Sequence, residues 1–323
     1  MNAHESERLS FMLTRGGLIC APSAEDADIL IFQTCSVRNT AAQKILTHIS
    51  QAKKTGKKIC VIGCLSAHKE IKGVDIQLGT NELELLVEKL CGEKPDSRFG
   101  IGNSVIITQG CENFCSYCIV PYVRGREYSR NSGDIIAEFE QIKSCGKVVW
   151  LLGQNVNSYK CPRTGMDFVG LLDKICALDG DFTVNFMSSH PKDFDARLID
   201  CIARNTKIER NIHLPMQSGC DKILRLMNRK YTVAEYCAKI DALRAAVPGI
   251  RITTDIICGF PGETAENFEE TMRVFREIKF NAAFIFPYSR REGTHADAMP
   301  GQIDDKEKKR RTTLMVEIAR KMK

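Results

Sequence analysis

Nothing in this 323-residue chain resembles a membrane span. No apolar run approaches the roughly 20 residues needed to cross a bilayer, so an integral helical membrane protein is excluded. The start, Met1-Asn-Ala-His-Glu-Ser-Glu7, has no basic stretch leading into an apolar one, so it does not read as a signal peptide. Charge of one sign is also scarce. The net charge of +6 is mild, compatible with a nucleic-acid partner without requiring one. With 27% charged and 43% hydrophobic residues, the composition is that of an ordinary globular protein. The length suffices for two domains with sizeable cores.

Cysteine, by contrast, is abundant. Fifteen is an odd number in a long chain, which argues against a secreted disulfide scaffold and for a reducing compartment with metal–thiolate sites. Cys91, Cys145, Cys161, Cys176, Cys201 and Cys237 fall in helical or loop patterns without partners and read as small core residues. Cys111, Cys115 and Cys118 are different. They stand in Gln109-Gly-Cys-Glu-Asn-Phe-Cys-Ser-Tyr-Cys-Ile119, a C-x3-C-x2-C run. What this run lacks is a fourth cysteine. A closed structural zinc site, or a plain electron-transfer cluster, takes four protein ligands. Three thiolates can hold three irons of a [4Fe–4S] cubane and leave the fourth open to chelate S-adenosylmethionine (SAM). An electron passed to the sulfonium then cleaves a C–S bond and yields a 5′-deoxyadenosyl radical. Gly110 before the motif and Val123-Arg-Gly-Arg126 after it permit the close backbone approach that a cluster loop needs.

Apolar β-rich runs alternate with 3.6-period segments, which predicts a parallel α/β architecture. In the first part, strands are expected at 28–34, 58–63 and 74–78, with helices at 39–54 and from an Asn81 cap to about Leu90. Residues 92–100 are polar, with Gly and Pro, and read as a linker. Six strands are expected after it, at 104–109, 147–152, 182–188, 211–215, 250–258 and 282–288. Helices are expected between them at 135–144, 168–178, 196–204, 233–246 and 266–279. Six βα units fall short of a closed eight-fold barrel and suit a partial one, with ligands at the carboxyl ends of the strands. The cysteine motif follows the first of these strands. The other strands end in Gly153-Gln-Asn-Val-Asn157, Ser188-Ser-His-Pro191, Pro215-Met-Gln-Ser-Gly219, Gly259-Phe-Pro-Gly-Glu-Thr264 and Tyr288-Ser-Arg-Arg-Glu-Gly-Thr294. Small polar ends on every strand make a wet rim able to bind a nucleoside and an amino acid. Gly153, Gln154, Asn155, Ser188, Gln217 and, from below, Asp255 are the candidate SAM contacts by strand position. His190 and His213 read as core histidines, and Cys258 as packing.

These motifs resemble the radical SAM superfamily and, within it, the methylthiotransferases. The resemblance rests on the cysteine run through Arg126, Leu152-Gly-Gln-Asn-Val-Asn-Ser-Tyr159, His213-Leu-Pro-Met-Gln-Ser-Gly219, Met227-Asn-Arg-Lys-Tyr-Thr232 and Asp255-Ile-Ile-Cys-Gly-Phe-Pro-Gly-Glu263. It implies a Rossmann-like α/β amino-terminal domain over 1–95, followed by a radical SAM partial (βα)6 barrel over 101–323. Thr34-Cys-Ser-Val-Arg38 is most similar to the branch acting on tRNA. There the implied reaction adds a methylthio group to C2 of N6-isopentenyladenosine beside the anticodon. A relative acting on threonylcarbamoyl-adenosine tRNA or on a ribosomal-protein aspartate, and a SAM-binding remnant, are the alternatives. The implied cofactors are SAM and two [4Fe–4S] clusters. The implied partners are a tRNA anticodon stem-loop and a reducing electron donor, in the cytoplasm.

The resemblance also implies an auxiliary cluster on three amino-terminal cysteines. Cys35 and Cys64 match two of them. The family's first cysteine precedes a Met-Asn pair, and this chain begins at that pair, so the expectation is a shortened start. Cys20 and Cys60 stand outside the family context as substitutes. At the other end the family's small RNA-binding barrel would begin where the chain stops. Arg124, Arg126, Arg130 and the basic run at 306–311 are the cations expected to meet an anionic partner.

Overall fold

The computed structural model describes residues 2–35, 39–93, 95, 102–144 and 147–321. The expected linker at 92–100 and Cys145 lie largely or wholly outside them.

The first part runs α1 (Asn2–Arg15), β1 (Ile29–Thr34), α2 (Asn39–Ala52), β2 (Lys58–Gly63), β3 (Ile76–Leu78) and α3 (Leu83–Cys91). The three strands form one parallel sheet in the order β1-β2-β3, with Ile29 opposite Lys58 and Cys60 opposite Ile76. Alternation along β2 explains the layering. Cys60 and Ile62 point to one face, packed on Leu9 and Met12 of α1 and Leu86 and Val87 of α3. Ile59 and Val61 point to the other, packed on Ala42, Ile49 and Ala52 of α2. A sheet covered on both faces needs the near-continuous apolar strands that this sequence supplies. Asn81 does not cap α3. Glu82 takes the cap position, and its carboxylate accepts from the Gly79 N–H instead.

The second part begins with β4 (Ser104–Ile106), β5 (Thr108–Gln109), α4 (Val120–Arg124), β6 (Tyr128–Ser129), α5 (Ser132–Ile142) and β7 (Val148–Leu152). It continues with α6 (Phe168–Cys176), β8 (Thr183–Phe186), α7 (Ala196–Arg204), β9 (Asn211–His213), α8 (Asp221–Leu226) and α9 (Val233–Ala246). It closes with β10 (Arg251–Cys258), α10 (Ala265–Ile278), β11 (Ala282–Pro287) and α11 (Asp305–Lys321). Two parallel triplets, β4-β7-β8 and β9-β10-β11, meet where Ile208 bridges Val184 in parallel. The result is six parallel strands in chain order, the open barrel expected from the sequence. Side chains cap its helices at their starts: Asp167 on α6, Asp195 on α7, and capping boxes at Thr232/Glu235 and Thr264/Asn267. Val105, Leu151, Val184, Ile212 and Ile256 put one face of the strands into the main core with the helices.

The first expected barrel strand, 104–109, is split. After β4 the Ile107 N–H donates to Leu152 O at 2.8 Å, and the chain then leaves the barrel as β5. β5 pairs antiparallel with β6, Thr108 opposite Ser129 and Gln109 opposite Tyr128, an element that periodicity does not reveal in two-residue strands. This short hairpin closes the base of the cysteine loop. No helix among the described residues is long and apolar enough to cross a membrane.

Candidate metal centre and cofactor rim

The loop carrying Cys111, Cys115 and Cys118 is fixed at both ends and in the middle. Gly110 has φ +73°, and a Cβ there would lie 2.0 Å from Arg126 O, so only glycine passes. The Cys111 N–H donates to Gly125 O at 3.2 Å. From the far side, the end of α8 buttresses the loop. The Ser116 N–H donates to Met227 O at 3.0 Å and the Ser116 hydroxyl to Leu226 O at 2.7 Å. Asn228, in the left-handed region at φ +56°, donates from Nδ2 to the carbonyls of Asn113 (3.3 Å) and Phe114 (2.9 Å). The Met-Asn-Arg run therefore serves the cysteine loop, a role invisible in the sequence because more than 100 residues separate the two.

Cys111 and Cys115 are each 9% exposed and Cys118 is half-buried. Burial pushes the Cys118 thiol up to about 12, and the neighbouring Cys115 sulfur adds to the shift. Burial raises Cys111 as well. Such thiols stay protonated until a cation displaces the protons. Among the described residues, no three Cys, His, Asp or Glu side chains converge as ligands to a single ion. Three soft sulfurs on one loop, with no fourth, are the donor set of an iron–sulfur cluster with one open position. Arg229 adds a donor: its Nη1 lies 3.4 Å from Cys115 Sγ.

The strand ends next to this loop carry buried polar atoms without hydrogen-bond partners. They are Thr108 Oγ1, Asn155 Oδ1, Asn157 Nδ2, Ser189 Oγ, His190 Nε2 and Gln217 Oε1. Buried polar groups are normally paired, so this rim is chemically matched to a polar ligand such as a nucleoside bearing an amino acid. Gly153 belongs to it, because a Cβ there would lie 2.1 Å from Thr108 Oγ1. Asn155 Nδ2 donates to Asp193 at 2.7 Å, and Asn157 Oδ1 accepts from the His190 N–H at 3.2 Å, which ties the ends of β7 and β8 together. Gln154 is half-buried beside them. Ser188 and Gln217 both adopt φ +68°, and the Gln217 N–H donates to Asp255 O at 2.8 Å. Burial and the nearby Arg229 cation push His190 down to about 2, so its ring is neutral at any physiological pH. Asp255 sits lower, inside the barrel, with Oδ2 3.3 Å from His213 Nε2, while His213 Nδ1 is 2.9 Å from Thr253 Oγ1. His213 is thus satisfied on both nitrogens, whereas Nε2 of His190 is not. Cys258 is 1% exposed and packs in the core.

Cys35 and Cys64 emerge side by side, because Thr34 pairs with Gly63 at the ends of β1 and β2 and the Cys64 N–H donates to Thr34 O at 3.2 Å. Cys64 is 1% exposed and packs on Ile119 and Val123, next to the radical-type loop. The Arg124 guanidinium lies near its thiol and is itself held by Glu5, Nη1 to Oε1 at 2.8 Å, and by Asn2 Oδ1 at 3.0 Å. Arg291, on the β11 loop, is half-buried, and both Cys35 and Cys118 lie within electrostatic reach of its guanidinium. Neither proposed substitute joins them. Cys20 is exposed, and Cys60 lies inside the β2 core.

Most of the expected cationic face is already paired. Arg124 is buried against Glu5 and Arg130 binds Glu138 at 2.7 Å. In α11, Arg311 is buried against Glu263 and Glu307, Arg310 binds Glu307, and Lys308 binds Asp305. Of the three arginines after the cysteines, Arg126 alone is exposed.

Residues 105–275 match the model of the Radical SAM superfamily, and residues 1–79 match that of the Uncharacterized protein family UPF0004. A tRNA-2-methylthio-N(6)-dimethylallyladenosine synthase of Caldicellulosiruptor saccharolyticus is 41% identical over 98% of this chain and 75% of its own length. One from Geotalea uraniireducens is 39% identical over 100% of this chain and 81% of its own. The chain belongs to this radical SAM synthase family. Two solved structures share the radical SAM fold with this family member. The cobalamin-dependent S-adenosylmethionine radical enzyme OxsB aligns with TM-score 0.58 at 11% identity, over 98% of this chain and 50% of that one. The radical S-adenosylmethionine methyltransferase TsrM from Kitasatospora setae aligns with TM-score 0.52 at 17% identity, over 73% and 43%.

Proposed function

We propose that this chain is a tRNA methylthiotransferase that adds a methylthio group to C2 of N6-isopentenyladenosine beside the anticodon. It uses SAM and two [4Fe–4S] sites and acts in the cytoplasm with a reducing electron donor. The observation that carries the reading is that Cys64, beside Cys35 at the strand ends of the first sheet, packs on Ile119 and Val123, directly after the Cys111–Cys118 loop of a six-stranded barrel. We assign Cys111, Cys115 and Cys118 to the radical site, and Cys35 and Cys64 to the auxiliary site. The domain division runs at 1–95 and 101–323. When bound, the clusters and SAM supply one-electron reduction, the radical and the sulfur.

The chain's own residues do the rest. The β5–β6 hairpin and Asn228 fix the backbone of the cysteine loop. Thr108, Asn155, Asn157, Ser189 and Gln217 present unpaired polar atoms that can fix the ribose and amino-acid ends of SAM. Neutral His190 accepts the Lys192 N–H at Nδ1, so its free Nε2–H is left to donate a hydrogen bond without adding charge. Chemistry at C2 requires the base unstacked and brought into a pocket, and apolar packing of the isopentenyl tail adds selectivity over plain adenosine. Exposed Arg126, after the cysteine loop, is a cation available to an anionic partner. The test is mass spectrometry of nucleosides from tRNA of a strain lacking its own enzyme, complemented with this protein. The methylthio mark should appear on isopentenyl-adenosine. A mark on threonylcarbamoyl-adenosine, with isopentenyl-adenosine untouched, overturns the substrate.

A further inference from the structure

Three arginines are buried among the described residues: Arg124, Arg229 and Arg311. Two are neutralised, Arg124 by Glu5 and Arg311 by Glu263 and Glu307. Arg229 is not. Its Nε donates to the Tyr231 hydroxyl at 3.0 Å and its Nη2 to Pro215 O at 3.2 Å, and its Nη1 points at Cys115 Sγ at 3.4 Å. The guanidinium also lies 5.2 Å from the centre of the Tyr231 ring. No carboxylate among the described residues pairs with it, and it is only 8% exposed.

Arginine cannot shed its proton at any pH a protein tolerates. A buried, unpaired cation is among the costlier things a fold can hold. Neutral oxygens and an aromatic face offset part of that cost, and the remaining Nη1–H is aimed at sulfur. The arrangement makes sense if negative charge resides on the Cys115 sulfur in the working protein. Hydrogen bonds and charges at cluster sulfurs are among the levers that set reduction potential. A fixed positive charge favours the state with one more electron.

We propose that Arg229 is a positioning residue that both orients Cys115 and raises the reduction potential of the centre held by Cys111, Cys115 and Cys118. The inference rests on the ligand assignment made above. It extends the role of the Met227–Thr232 run from support of the loop to control of its electron affinity. Tyr231 is the strut: its hydroxyl accepts from Nε and donates to Met216 O at 2.8 Å, which fixes the fork's direction.

The experiment uses the anaerobically reconstituted full chain, titrated with dithionite and followed by electron paramagnetic resonance. The signal that changes when SAM is added identifies the centre. In Arg229→Met its midpoint should move to a more negative potential, and in Arg229→Lys by less, with iron per chain and the far-ultraviolet spectrum unchanged. An unmoved midpoint in Arg229→Met overturns the proposal. Should Arg229→Met fail to fold or to bind iron, Tyr231→Phe keeps the ring and removes only the strut. It must then shift the midpoint in the same direction by a smaller amount, and no shift there overturns the proposal equally. A Cys111→Ala/Cys115→Ala/Cys118→Ala chain that retained the SAM-responsive signal would instead remove the ligand assignment, which separates that failure from a failure of the arginine.

Discussion

The two cysteine groups each have a buried arginine against one sulfur, but they are built differently. At the barrel loop, Arg229 reaches Cys115 with no carboxylate to balance it. At the amino-terminal pair, the Arg124 guanidinium lies near the Cys64 thiol while Glu5 cancels its charge. The first site keeps a net positive charge beside its sulfurs, and the second keeps a donor without the charge. The difference also extends to assembly. The barrel thiols come from one continuous loop clamped by a neighbouring helix end. Cys35 and Cys64 come from two strands and depend on a salt bridge that joins α1 to α4, and so joins the two halves of the molecule.

The largest effects should come from removing thiols. The Cys111→Ala/Cys115→Ala/Cys118→Ala chain is expected to produce no 5′-deoxyadenosine from SAM under reducing conditions. A Cys35→Ala/Cys64→Ala chain should still produce it, bind less iron and leave tRNA unmodified. If both variants lost SAM cleavage equally, the two groups would not be functionally separate. Next comes the junction. Glu5→Gln leaves the buried Arg124 charge without its partner and should cost about 3–5 kcal/mol in chemical denaturation, as broken buried ion pairs do. The paired change Glu5→Gln/Arg124→Met should recover part of it. A smaller loss, about 1–2 kcal/mol, is expected for Asn228→Ala, which frees two loop carbonyls and puts alanine at φ +56°. Its distinguishing readout is slower iron loading at the barrel loop and unchanged loading at Cys35 and Cys64.

The smallest effect tests an arginine far from both groups. Arg310 and Arg311 hold the Glu307 carboxylate down to about 2, from an ordinary value of 4.5. A group whose folded value is depressed contributes stability above its unfolded value and loses it as pH falls. The Glu307 contribution should therefore be complete above about pH 4.5 and fade toward pH 2, and Glu307→Gln should flatten the stability curve in that window alone.

Much of this was legible in the sequence. The six barrel strands carry long apolar or alternating runs, and helices such as α7 and α9 begin at Asp195 and Thr232, whose side chains announce a cap. The C-x3-C-x2-C spacing is local and so survives in one dimension. Two kinds of information do not. The β5–β6 hairpin is too short for any period to show. The partners of charged residues depend on contacts between distant segments: Arg124 read as a surface cation until Glu5, 119 residues away, was found beneath it. The same holds for Asn228 and Arg229: the Met227–Thr232 run carries the family resemblance, but the loop it serves lies more than 100 residues away in sequence.

The hairpin at the base of the cysteine loop has a thermodynamic consequence. Because β5 and β6, the buttress from α8 and the glycine at 110 order the loop through protein contacts alone, the entropic cost of shaping it falls within folding and not within metal uptake. A small metallodomain whose ligands lack such scaffolding unfolds when its metal is withdrawn. This chain is organised the other way: stripped of iron it should keep its melting cooperativity, and reloading with iron and sulfide should leave its far-ultraviolet spectrum unchanged.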